Sequence, residues 1–182
     1  MYAGALYGAK GLQHYEACFR DDLSVCNPKG EKGRFFYDQK AIHAEFKALG
    51  NTLMALDSKL VYHSDDLLPG DKFMAEYIDK IEDSKIFAGK LPKRTSVGEF
   101  EDKYGNKYVM ILNRDYENAS DITIDMQDNF RIYEVSRVDG YQDVIHDSVT
   151  KLPLKLAPAE AVLLRVQPAA EEAFTCEYKL AK

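Results

Sequence analysis

From residue 95 to residue 166 the chain repeats one pattern, a short run of alternating apolar and polar residues followed by a turn signal. Val97 and Phe100 lead into Tyr104-Gly105-Asn106, a glycine-containing turn of the kind that joins antiparallel strands. Residues 108–113 read as a buried strand. Ile122, Ile124 and Met126 alternate with Thr123 and Asp125. Phe130 and Ile132 follow, opposed by Tyr133 and Val135, and Asp139-Gly140 marks another turn. Residues 141–145, 152–156 and 162–166 continue the series, with 174–178 as a candidate last strand. Strands at roughly 8–12-residue spacing with turns between them build an antiparallel sandwich or barrel. The expected fold class is therefore mainly β, an antiparallel β-sandwich of Greek-key-like type.

Composition supports a packed core. Leu, Ile, Val and Phe make up about a quarter of the 182 residues, above the roughly 20% below which disorder is the default. The net charge is -6, with 24 basic against 30 acidic residues. That excludes the basic stripe a nucleic-acid binder needs to displace counterions. No apolar run approaches the ~20 residues that span a bilayer. The apolar or small residues 1–9 follow no basic segment, so no secretory signal is read and the chain is expected to be soluble. Its compartment stays open.

The text before residue 60 is different. Ala3, Gly4, Ala5, Gly8, Ala9 and Gly11 are small and permit close backbone packing. Residues 11–19 read as a buried strand. Residues 20–34 read as a loop rich in turn formers, among them Asp21, Asp22, Asn27, Pro28, Gly30 and Gly33. A helix is expected over 38–57, with Asp38 as its N-cap. Ile42, Phe46, Leu49, Leu53 and Leu56 are spaced 4, 3, 4 and 3 residues apart and line one face. Gly50 interrupts the helix, which asks for close packing against a neighbour to offset its cost. Residues 60–66 read as a short strand. Over 67–94, Phe73, Tyr77, Ile78 and Ile81 have helical spacing and 85–90 strand character. The expected division is a strand-loop-helix segment over 1–60 and a β-sandwich domain over 61–182.

Few residues point to chemistry. His14, His43, His63 and His146 are scattered, and no pair has metal-ligand spacing, so no metal site is expected. Asp21-Asp22, Asp65-Asp66 and Glu171-Glu172 lack the D-x-D-x-D-G loop of a calcium site and read as solvated charges. Gly4, Gly8 and Gly11 lack the Lys-Ser/Thr of a phosphate loop, and no cofactor is expected. No G-x-S-x-G nucleophile elbow occurs. Tyr104, Tyr108, Tyr116, Tyr133 and Tyr141 fall in the strand region, where they serve either as sugar-stacking faces or as packing residues. Cys18, Cys26 and Cys176 are odd in number and form no C-x-x-C pair. They read as free thiols, with Cys18–Cys26 the one local bridge available.

Several phrases, in order, resemble the end of TIM-barrel glycoside hydrolases. Tyr2-Ala3-Gly4-Ala5-Leu6-Tyr7-Gly8-Ala9-Lys10-Gly11-Leu12-Gln13-His14-Tyr15 is similar to the last barrel strand region of those enzymes, and the helix at 38–57 to the last barrel helix. Val97-Gly98-Glu99-Phe100-Glu101-Asp102 and Tyr108-Val109-Met110-Ile111-Leu112-Asn113-Arg114 resemble strands of the β-sandwich that follows the barrel. The phrase from Leu156 to Val166 resembles its closing strand, with Ala159 where the family has a glycine after proline.

The resemblance implies a strand-loop-helix remnant of a (β/α)8 barrel ahead of the sandwich. It also implies that the two carboxylates of glycoside hydrolysis belong to strands earlier than the one this chain begins with. No catalytic residue is carried over. A closed barrel needs ~200 residues or more, so the chain is expected to be a C-terminal portion, a truncation or a shortened relative. Tyr15 and Glu16, just past the barrel-strand phrase, are the candidate substrate-binding residues, readable equally as a packing residue and a loop carboxylate. The expected function is a non-catalytic C-terminal module of a glycoside hydrolase-like protein. The alternative is a stand-alone carbohydrate-binding or protein-interaction sandwich. Expected partners are carbohydrate, a partner barrel chain, or a second copy meeting the apolar helix face in a homodimer.

Overall fold

A computed structural model describes residues 1–11, 25–27, 29–33, 35–66 and 79–169. Two helices precede six strands: α1 (Tyr2–Leu6), α2 (Phe35–Ala55), β1 (Leu56–His63), β2 (Thr95–Asp102), β3 (Lys107–Asn113), β4 (Ser120–Val135), β5 (Gln142–Leu156) and β6 (Ala161–Pro168). The strands form one sheet in the order β1-β2-β3-β6-β4-β5, antiparallel throughout. The fold is mainly β and sandwich-like, as the alternation requires.

The hairpin turns sit where the sequence puts them. Between β2 and β3, the Asp102 carboxylate accepts the N–H of Tyr104 at 2.8 Å and of Asn106 at 3.0 Å. Between β4 and β5, the Ser136 hydroxyl accepts the N–H of Val138 at 3.2 Å, and the Asp139 carboxylate accepts that of Tyr141 at 3.1 Å.

Strand length is where sequence and structure part. The runs at 122–126 and 130–135 belong to one strand, β4, and those at 141–145 and 152–156 to another, β5. The polar Gln127-Asp128-Asn129 reads as a break but is absorbed as a bulge, where the β4–β5 register slips between Asp125 and Phe130. Bulges bend a strand without ending it. The far half of the hairpin thereby packs over one sheet face, placing Ile122, Ile124, Met126, Leu152 and Leu156 against Val97, Val109, Ile111, Val162 and Leu164. Phe87, fully buried, closes this core through a bridge to Met126.

The opposite face carries Phe100, Tyr108, Met110, Leu112, Ala161 and Leu163, and the two helices cover it. Tyr2, Ala5 and Leu6 of α1 join Leu49 of α2 in this second core, with Phe46 and Leu53 packed against it. Of the apolar stripe, Leu49 and Leu56 are buried within the chain, and Phe46 and Leu53 are partly buried. The approach is close enough to need missing side chains. A Cβ on Gly98 would lie 2.4 Å from the carbonyl oxygen of Leu6, and one on Gly140 would lie 2.5 Å from that of Ala48.

Other expectations shift. The helix starts at Phe35 rather than at Asp38, which lies in its first turn, where a carboxylate favours the dipole. It ends at Ala55, because Leu56 already pairs with Asp102. Lys10 caps that end, its Nζ donating to the Leu53 carbonyl at 2.7 Å and to that of Leu56. Gly50 has no heavy atom within 4 Å of where its Cβ would be, so no close packing explains it. Tyr2–Leu6, inside the phrase similar to a barrel strand, is a helical turn. The strand read over 11–19 lies outside the described residues except for Gly11, as does the one at 174–178. Strand β1 runs across residue 60.

Candidate functional site

The two candidate substrate-binding residues, Tyr15 and Glu16, lie outside the described residues. So do His14, Cys18, Cys176 and the acidic pairs Asp21-Asp22 and Glu171-Glu172. Cys26 is disulfide-bonded, which corrects its reading as a free thiol. Its partner lies outside the described residues.

The remaining sequence candidates scatter. His43 is exposed and His146 half-buried. His63 bridges the Tyr7 hydroxyl at 2.7 Å and the Ser96 hydroxyl at 2.6 Å. Among the described residues no group of three or more His, Cys, Asp or Glu is placed to hold a metal ion. Tyr104, Tyr116 and Tyr141 project into solvent, whereas Tyr108 is buried in the second core. Tyr133 lies under the Arg165 guanidinium, 5.0 Å from its ring centre.

Asp65 makes an exposed pair with Lys90, the surface reading the sequence suggested. Asp66 instead organises a loop clamp. It accepts the Arg94 N–H at 3.0 Å and the Ser64 hydroxyl, and it pairs with Arg114. Burial works to raise its carboxyl. The Ser64 and Arg94 hydrogen bonds and the Arg114 charge outweigh burial and hold it below the usual value.

Two polar clusters were not legible in the sequence. The first is buried. Glu99 on β2 accepts the Tyr62 hydroxyl at 2.7 Å and that of Ser84. Ser84 in turn accepts the N–H groups of Ile86 and Phe87 at 3.0 and 2.9 Å. Burial, then the nearby Glu99 charge, push the Tyr62 phenol far above its ordinary value. Every group here is partnered inside the protein, and the cluster pins the segment that delivers Phe87 to the core.

The second cluster borders a cleft of about 520 Å³ between the helices and the sheet end. Tyr2 on α1 donates its hydroxyl to Glu45 on α2. Arg137, in the β4–β5 turn, pairs with Glu160, just before β6. Glu160 also accepts the Ala157 N–H. Burial, then the Glu45 hydrogen bond and charge, raise the Tyr2 phenol. Burial alone would lower Arg137, but Glu160 and Tyr2 more than offset it, and its pKa is raised. The cleft rim is the turn 157–160, where Glu160 N–H reaches the Ala157 carbonyl at 3.1 Å. Ala159 there has φ +56°, a left-handed conformation that costs an L-residue about 1–2 kcal/mol. The position where the resembled family carries glycine is thus one where glycine would be unstrained.

Chemically, this cleft offers two carboxylates, a guanidinium and a phenol beside apolar walls from Ile42, Leu112 and Pro158.

No family model and no curated protein sequence matches this chain. Among solved structures, it is similar to a GH27 β-L-arabinopyranosidase from Geobacillus stearothermophilus. The TM-score is 0.37 at 14% identity, covering 50% of this chain and 21% of that one. A variant of the same enzyme in complex with arabinose gives TM-score 0.35 at 14% identity, covering 47% and 20%. A putative alpha-galactosidase/melibiase from Bacteroides fragilis gives TM-score 0.32 at 20% identity, covering 43% and 18%. The chain spans about a fifth of the length of each of these structures. Among the described residues no helix is long and apolar enough to cross a membrane.

Proposed function

We propose that this chain is a non-catalytic C-terminal module of a glycoside hydrolase-like protein, a sandwich that supports a carbohydrate-active barrel. One observation carries the reading. The segment whose sequence resembles a barrel end, α1 with α2, shares a core with the sheet whose strands resemble the following sandwich. Gly98 on β2 and Gly140 in the β4–β5 turn admit helix backbone at close range, so the helical segment is seated against the sheet and its connecting turn. The division is then one of origin, with a barrel-end segment through α2 ahead of a sheet that starts at β1 and folds against it.

Two measurements test this. An antibody to the sandwich should detect, in extracts of the source organism, a product heavier than 20.7 kDa that carries barrel peptides by mass spectrometry. The isolated chain should turn over none of a panel of aryl glycosides. Turnover that survives repurification and is lost on Glu16→Gln, Glu45→Gln or Glu160→Gln would overturn the non-catalytic reading.

A further inference from the structure

We propose that the cleft between α1, α2 and the 157–160 turn is a binding subsite for a neutral, sugar-sized polyol, held by Glu45, Glu160 and Arg137. The proposal deepens the carbohydrate-linked reading above and rests on it for the ligand's biological source. Its chemistry rests on the cleft alone.

The volume, about 520 Å³, falls in the ~300–1,000 Å³ range of small-ligand sites. Its polar groups come from four separate stretches of chain and converge on one space. Glu45 takes the Tyr2 hydroxyl on Oε2, and its Oε1 has no hydrogen-bond partner among the described residues. Arg137 and Glu160 hold each other while 30% and 20% of their side-chain surface stays accessible. A guanidinium has five donors, and Glu160 and Tyr2 take only part of that capacity.

The balance of these groups selects the ligand. Hydroxyl groups donate to carboxylates and accept from a guanidinium, so a polyol satisfies both kinds at once. The lining sets two carboxylates against the Arg137 guanidinium and the Met1 amino group, so neither sign of charge dominates and a neutral ligand is favoured. The guanidinium disfavours a compact cation. Ile42 and Pro158 give the C–H face of a ring an apolar surface to lie on. The rim residue Ala159 is held in a strained backbone conformation, and such residues cluster at ligand-holding sites.

The test is a titration of the whole chain with neutral pentoses and hexoses, their methyl glycosides and short oligosaccharides, read by calorimetry and saturation-transfer NMR. The expected result is saturable binding of at least one sugar at ~1–10 mM. Glu45→Gln should weaken it about tenfold or more without changing the melting temperature. Arg137→Gln should weaken binding as well, with a lower melting temperature from the lost pair with Glu160, and Tyr141→Ser, away from the cleft, should leave binding unchanged. Equal binding of a sugar and its methyl glycoside supports the terminal unit of a longer glycan as ligand. Loss on methylation supports a free monosaccharide. No saturation by any sugar at ~50 mM, or unaltered binding in Glu45→Gln, would overturn the proposal. Either failure leaves the supporting-module reading standing, because that reading is judged by product size and turnover.

Discussion

The two faces of the sheet are covered in different ways. On one, the bent β4–β5 hairpin lays side chain on side chain, and Val97, Val109, Ile111, Ile124, Ile132, Leu152 and Leu164 are fully buried. On the other, helices also bury side chains, and they come so close that backbone carbonyls occupy the space where side chains would stand, over Gly98 on β2 and Gly140 in the β4–β5 turn. Both faces bury apolar volume, and the second adds close backbone approach at a few points. Volume is tolerant of small rearrangement, whereas a carbonyl 2.4 Å from a new Cβ has to move.

The largest expected effect is on the volume-filled face. Phe87→Ala removes a fully buried ring and should lower stability by about 3–5 kcal/mol, measured by denaturant unfolding. A loss under ~1 kcal/mol would mean that the hairpin face is not the main source of cohesion. Gly98→Ala comes next, at about 1–3 kcal/mol from overpacking. Hydrogen exchange makes the comparison sharper: α1 amides should lose protection while β2 and β3 keep theirs. Unchanged protection in α1 would show that the helical layer does not depend on close approach there. The smallest effect has the opposite sign. Gly50→Ala fills open space on α2 and should raise stability by about 1 kcal/mol, seen as a higher melting temperature. A loss instead would show that α2 needs glycine at this position.

The same contrast explains what could be read from the sequence. Alternation assigns residues to faces, so Val97 and Val109 are separated from Phe100 and Met110 without coordinates. The turn chemistry at Asp102–Asn106 and Ser136–Tyr141 is local and equally readable. A bulge is not, because Gln127-Asp128-Asn129 looks the same whether the strand stops or bends. The glycines that seat the helices are also opaque: Gly50 and Gly98 look equivalent in sequence, yet only Gly98 meets another backbone. The cleft is opaque in sequence for a related reason. Tyr2, Glu45, Arg137 and Glu160 share no motif, and the fold alone brings them together. Glu99 gave a faint signal, a charged residue in the otherwise enclosed run Val97-Gly98-Glu99-Phe100, which needs partners such as Tyr62 and Ser84 to be buried.

Strand pairing within the sheet leaves β1 and β5 at its two margins. At β1, Asp79 occupies the outer side of Val61, taking its N–H at 2.7 Å on the carboxylate and donating its own N–H to the Val61 carbonyl at 3.1 Å. At β5, register slips around Phe130 and Ile132 distort the strand, and Lys151, Pro153 and Lys155 occupy its far half. Proline withholds a donor, and lysines and bulges discourage a flat incoming strand. Recruitment of a foreign strand, and with it fibril growth or runaway stacking of copies, is thereby discouraged at both margins.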